Sequence, residues 1–178
     1  MGLLSRLAEL LNKLRSASTP TDTRDPEGTA WPPAPTAGVP PPPGTTPLGV
    51  RNNNPGNIRS STAQKWRGEI GSNRGFVVFD TAINGIRALA LLLGNYERKY
   101  GLNTVRAIIT RWAPPSENNT AAYIAAVCTS MSVAPDAPLD LGNFAELCDL
   151  VHAIIRHENG MDPYPDPTIR SGVMEALS

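Results

Sequence analysis

Ten of the chain's eighteen prolines lie within residues 19–48, four of them in the unbroken run Pro40-Pro41-Pro42-Pro43. Proline fixes φ and donates no backbone hydrogen bond, so this stretch cannot supply a helix interior, a central strand or a packed core. It favours extended polyproline II, in which some thirty residues reach on the order of 90 Å at about 3.1 Å per residue. Whatever folds must do so on either side of it. The chain therefore reads as three parts: residues 1–18, a linker over 19–48, and a globular portion over 49–178. Its 178 residues suit one ordinary domain with an extra segment. A proline-rich ligand for another domain is the alternative use of the linker.

Ahead of the linker, Leu3, Leu4, Leu7, Leu10, Leu11 and Leu14 recur at helical spacing, with a seam close to a and d positions. A helix of about fifteen residues is marginal alone in water and must bury such a stripe. The polar face is only weakly basic, so a protein partner or self-association fits better than a membrane surface. The arrangement is that of something anchored at one end and working at the other. No eighteen-residue apolar run is present, so no stable membrane span is expected. The start has neither the apolar core nor the small-residue cleavage site of a secretory signal. Met-Gly hints at myristoylation, but Arg6 occupies the position that requires a hydroxyl.

Charge is balanced, with 16 basic and 16 acidic residues. Four of each fall before residue 48, leaving twelve of each for the remainder. Nothing here suggests counterion-driven binding to nucleic acid. With two histidines and no zinc-type spacing, neither a metal site nor a cofactor is expected. Cys128 and Cys148 both fall at apolar positions of candidate helices and read as small buried thiols, a disulfide staying open.

From residue 49 the composition is globular. Arg51-Asn52-Asn53-Asn54-Pro55-Gly56-Asn57-Ile58-Arg59 is dense in turn formers and predicts a structured loop. Residues 66–70 and 75–79 flank Gly71-Ser72-Asn73-Arg74 and predict a small β-hairpin. Helices follow. Thr81 caps one carrying Ile83, Ile86, Leu89, Leu93 and Tyr96. Asn103 opens a second with Val105, Ile108, Ile109 and Trp112, which Pro114-Pro115 ends. Asn118 or Thr120 opens a third with Tyr123, Ile124, Val127 and Met131. Asn143 with Glu146 starts a fourth in capping-box style, closed by Asn159-Gly160. Asp166-Pro167 opens a last short helix. The fold class expected is mainly α with a small β-hairpin.

The fourth helix ends in Ala153-Ile154-Ile155-Arg156-His157-Glu158-Asn159-Gly160. A glutamate in a last turn is not placed for helix stability, because the C-terminal dipole end disfavours negative charge. Beside apolar walls its pKa rises, which suits a general acid near neutral pH. A plain surface glutamate is the bland reading. Glu69, on the expected hairpin, is a second carboxylate that would suit a two-carboxylate hydrolase, or an exposed strand residue. Glu117 is explained by a helix start. Asn54, Asn57 and Arg59 offer amide and guanidinium groups to line a groove, or make local turns. Trp66, Tyr123 and Tyr164 are aromatic candidates for stacking on or bonding a sugar, Tyr123 being equally placed for a core. Arg111 and Arg156 can pair with carboxylates.

The segment Glu158-Asn159-Gly160, with Asp162-Pro163 after it, resembles the catalytic motif of lysozyme-like lytic transglycosylases and of the flagellar-type glucosaminidases. In those glucosaminidases an Asn-rich stretch, a Trp-x-Gly hairpin, an aromatic residue before a helix, a Tyr-Gly and a sugar-site helix follow in order. The chain has the 51–59 stretch, Trp66-Arg67-Gly68, Phe76 to Phe79, Tyr100-Gly101 and Thr120-Ala121-Ala122-Tyr123. Its glutamate helix comes last rather than first, so the resemblance implies a circularly permuted lysozyme-like domain over residues 50–165. The 51–59 stretch, with linker and amphipathic head, also resembles small structural proteins of bacterial viruses.

Together these resemblances imply a virion-associated enzyme that cleaves the glycan strand of host peptidoglycan in the periplasm. Its N-terminus would attach to a capsid, tail or vertex protein through Leu3, Leu7, Leu10 and Leu14. Glu158 would be the general acid, helped by Glu69 in the case of a hydrolase. Asn54, Asn57, Arg59, Trp66, Tyr123 and Tyr164 would contact substrate. The want of a clear second carboxylate favours transglycosylase chemistry. The alternative is a non-catalytic structural or wall-binding virion protein on the same fold. An endopeptidase has no Cys-His or Ser-His pairing to support it.

Overall fold

The computed structural model describes residues 46–178. The helix expected over 1–18, with Leu3, Leu7, Leu10 and Leu14, and all but the last three residues of the linker lie outside the described residues. The described part is mainly helical, with one two-stranded antiparallel sheet. A single turn of helix, α1 (Leu48–Arg51), leads into the Asn-rich segment. Strands β1 (Glu69–Asn73) and β2 (Phe76–Phe79) follow. Helices α2 (Ala82–Tyr100), α3 (Val105–Trp112), α4 (Thr120–Met131), α5 (Phe144–Asn159) and α6 (Asp166–Leu177) complete the fold.

The hairpin turns later than its sequence suggested. Asn73 pairs with Phe76, so Arg74 and Gly75 alone make the loop, with φ of 52° and 83°. Two positive φ values give a two-residue loop whose twist matches that of the strands, which a four-residue Gly71–Arg74 turn would not. The register slips between Glu69 and Gly71, and Ile70 is turned outward, 69% exposed. On β2 the pattern alternates, with Val77 and Phe79 buried. The other edge of β2 is taken by the Asn-rich segment: Val77 N–H donates to Ile58 O at 2.9 Å, and Phe79 N–H to Asn52 O at 2.9 Å.

Helix ends follow their capping residues. Thr81 Oγ1 accepts from Asn84 N, and Gly101, at φ 65°, closes α2. Thr104 rather than Asn103 caps α3, because Asn103 O is engaged by Leu139 N at 2.7 Å. Asn119 caps α4. Asn143 accepts from Ala145 N and Glu146 N to start α5, while the Glu146 carboxylate turns to Asp140 N instead of completing a capping box. Ile86, Leu89, Leu93, Ile108, Trp112, Tyr123, Leu147, Val151, Ile154 and Ile155 are all buried in the core between these helices. Cys128 and Cys148 are buried free thiols.

One close approach fixes the Asn-rich segment to α2. A Cβ on Gly85 would lie 1.8 Å from Asn53 O and 3.2 Å from the Phe79 ring. Gly85→Ala is therefore expected to cost roughly 3 kcal/mol by forcing the segment away from α2, read as a lowered urea midpoint. Among the described residues no helix is long and apolar enough to cross a membrane.

Candidate active site

Apolar spacing along α5 buries Leu147, Leu150, Val151, Ile154 and Ile155, and the same phase carries Glu158 inward at the helix end. Glu158 is 5% exposed. No cation faces it. Three neutral donors do: Tyr123 OH at 2.9 Å and Trp112 Nε1 at 3.2 Å, both to Oε1, and Asn57 Nδ2 at 3.1 Å to Oε2. These come from α4, the last residue of α3 and the Asn-rich segment, so the carboxyl group joins four parts of the chain. Burial pushes its pKa up to about 7 from 4.5, and the three donors pull the other way without cancelling it. The group is thus poised to exchange a proton near neutral pH.

The supporting shell is ordered by the same elements. Asn57 takes φ 50°, a left-handed conformation that asparagine tolerates. Tyr123 is fully buried, and its ring stacks on His157 at 3.6 Å and 20°. Its hydroxyl is held well above its usual pKa, first by burial and then by the neighbouring carboxylate. Burial likewise lowers the His157 pKa. Tyr96 packs edge-on against Trp112, and Arg111 lies over the Tyr96 and Tyr100 rings at 5.2 and 4.2 Å. Asn159, 2% exposed, donates to Pro55 O at 2.9 Å and Ile155 O at 2.8 Å, tying the Asn-rich segment to α5 beside Glu158. Gly49 makes room for this: a Cβ there would lie 2.8 Å from Asn57 Oδ1 and 2.9 Å from Asn159 Oδ1.

Of the residues singled out from sequence, Glu158, Asn57 and Tyr123 are brought into direct contact. Glu69 is not joined to them by any described hydrogen bond. Its Oε1 accepts from Lys65 Nζ at 2.8 Å and its Oε2 from Trp66 N–H at 3.1 Å, closing the turn before β1. Trp66 is half-buried in that turn. Asn54 is buried, and its amide is spent on the backbone of Ile58 and Val77. The Arg59 guanidinium lies 5.5 Å over the Phe76 ring. Tyr164 is half-buried, with its hydroxyl pushed up to about 12 by burial and without a described partner. Trp112 and His157 were missed. Trp112 reads as one more apolar position of α3, and only its place at the helix end frees its indole N–H to reach Glu158. His157 has no sequence partner that signals stacking on Tyr123. Among the described residues no group of three His, Cys, Asp or Glu side chains is placed to hold a metal ion.

No family model matches the chain. Over 128 residues, 70% of this chain and 78% of the relative, it is 38% identical to Protein P5 of Pseudoalteromonas phage PM2. At that identity and coverage, the chain belongs to the family of this phage protein.

Proposed function

We propose that the protein is a virion-associated, lysozyme-like enzyme that cleaves the glycan strand of host peptidoglycan, with Glu158 as the acid and then the base of a lytic transglycosylase reaction. The observation that carries this reading is a buried carboxyl group with no cationic partner among the described residues, its pKa pushed up to about 7 by burial. A structural carboxylate is ordinarily paired with a cation or left in solvent. Kinship with a phage protein supports the virion setting. The leucine stripe at Leu3, Leu7, Leu10 and Leu14 would dock on a capsid, tail or vertex protein.

Oε1 is occupied by Trp112 and Tyr123, so the exchangeable proton belongs on Oε2. Asn57 is the most exposed of the three donors at 8%, and a glycosidic oxygen would displace its amide from Oε2. Glu158 then protonates that oxygen as the bond to the anomeric carbon breaks. The sugar's own 6-hydroxyl attacks the same carbon and returns its proton to Glu158, forming a 1,6-anhydro ring without water. This route needs one carboxyl group, whereas a retaining or inverting hydrolase needs two. Glu69, engaged by Lys65 and Trp66, has no described link to the site.

A second reading is favoured by the seal itself. All three donors satisfy the carboxyl group inside the domain, as a non-catalytic virion or wall-binding protein would need. Turbidity loss of purified peptidoglycan separates the two. Wild-type lysis that falls at least about a hundredfold in Glu158→Gln, with anhydro sugars in the products, is expected. Reducing ends would make it a hydrolase. A folded wild-type chain that leaves the wall intact would establish the non-catalytic role.

A further inference from the structure

A trough runs between α4 and α5 on a face of α5 turned away from Glu158. Its larger end, about 560 Å³, is lined by Thr129 and Ser130 of α4 and by Arg156, His157 and Gly160 of α5 and its cap. A smaller end, about 190 Å³, shares Ser130 and Arg156 and adds Asp149, His152 and Asp162. Residues 149, 152, 156 and 160 recur at three- and four-residue steps, so they form one stripe along α5. Ala126, Ala153 and Gly160 keep the floor of the larger end small, Thr129 and Ser130 add hydroxyl groups, and Arg156 lies where the two ends meet, with Asp149 and Asp162 in the smaller end.

Arg156 sits at the junction. Its described ion-pair contact, to Asp162 Oδ2, is 3.7 Å, too long for a direct hydrogen bond. Its side chain is 67% exposed, and its planar fork is suited to a carboxylate. Asp162 is held instead by His152 Nε2 at 3.2 Å. Asp149 is exposed at the far end. Seven residues of helix place Asp149 about 10 Å from Arg156 along the axis, the span of about three extended residues.

We propose that this trough binds a short zwitterionic peptide of the cell-wall stem type, taking a carboxylate at Arg156 and an ammonium group at Asp149. The choice of peptide rests on the reading that the chain acts on the wall; the charge layout and the length rest on the trough. Bound there, the stem peptide holds the domain on the wall without occupying Glu158.

The test is calorimetric titration of the full chain with the synthetic tripeptide L-Ala-γ-D-Glu-meso-diaminopimelate. Saturable binding is expected, weakened about tenfold by Arg156→Gln. Asp149→Asn, and acetylation of the side-chain amine of the peptide, should each weaken binding, and the two losses should not add. Glu158→Gln should bind as the wild type does. An absence of saturable binding, or wild-type affinity in either Arg156→Gln or Asp149→Asn, overturns the inference. So does competition by an N-acetylglucosamine tetramer, which carries neither ion and would mark a saccharide trough. Peptide binding without wall lysis would leave this site standing and remove the enzyme reading; lysis without peptide binding would do the reverse.

Discussion

Glu158→Gln is expected to be more stable than the native chain at pH 8 and no more stable at pH 4. The sign follows from the direction of the shift. Folding raises the Glu158 pKa from 4.5 to about 7, so the folded state binds more protons than the unfolded state between those values. Stability from this group is therefore fully present below about pH 4.5, falls as pH rises, and levels off above about pH 7. The difference across the window is on the order of 3 kcal/mol, about 10 °C in Tm for a domain of this size. Glutamine has no charge to desolvate and should not follow this curve. Its amide must meet Asn57 Nδ2 with a donor, a mismatch that a flip of the Asn57 side chain relieves in part. His157, with a lowered pKa, and Asp80 and Asp136, held low chiefly by hydrogen bonds from Asn84 and Arg106, favour the folded state as pH rises. The informative quantity is thus the wild-type minus variant difference, measured by urea unfolding from pH 4 to pH 8. A glutamate that weakens the fold at neutral pH is kept for something other than stability. If the variant is instead less stable at every pH, the three donors hold an ionised keystone, and the catalytic reading loses its physical basis.

The fold was readable from sequence where local chemistry decides it. Thr81, Asn143 and Gly160 cap the helices the sequence assigned to them, whereas Thr104 rather than Asn103 caps α3 and Asn119 rather than Asn118 or Thr120 caps α4; apolar spacing marked the buried faces of α2, α3 and α5. Glu158 was readable because it breaks a rule, being a carboxylate on the buried phase at a helix C-terminus. What surrounds it was not. Trp112 and Tyr123 lie 46 and 35 residues from Glu158, and each is an ordinary apolar position of its own helix. Only the packing of α3 and α4 on α5 turns their polar atoms to one carboxyl group. The Asn-rich segment was read as turns or as a groove lining. It does form turns, and its asparagines also divide their work, with Asn53 and Asn54 bonding backbone around β2, Asn52 bonding Asn73, and Asn57 reaching the candidate site.

That division of work predicts a large loss of stability, rather than a selective loss of binding, for Asn54→Ala. The Asn54 side chain makes three buried bonds of 2.9 Å: Nδ2 donates to Ile58 O and Val77 O, and Oδ1 accepts from Ile58 N–H. Ile58 O keeps a second partner in Val77 N–H. Val77 directs both its N–H and its C=O towards the Asn-rich segment, as alternation along a strand requires, so its C=O depends on Asn54. Alanine leaves that C=O and the Ile58 N–H buried without partners, in a space too apolar to welcome water beside Ile58 and Val77, each 1% exposed. At about 1–3 kcal/mol for each orphaned group, the expected cost is about 4 kcal/mol, visible as a fall in the urea midpoint. Loosening the segment also frees Asn57 from Glu158, so wall cleavage should fall at temperatures where the variant is still largely folded. Asn54→Asp keeps the acceptor and loses both donor bonds, and it should be destabilised as well, with a buried charge added. A variant at position 54 that matches the wild-type urea midpoint yet binds wall poorly would return Asn54 to the ligand-contacting role its sequence suggested. Equal stability would also mean that the clamp between β2 and the Asn-rich segment is carried by the Val77–Ile58 backbone bond with Asn52 and Asn53.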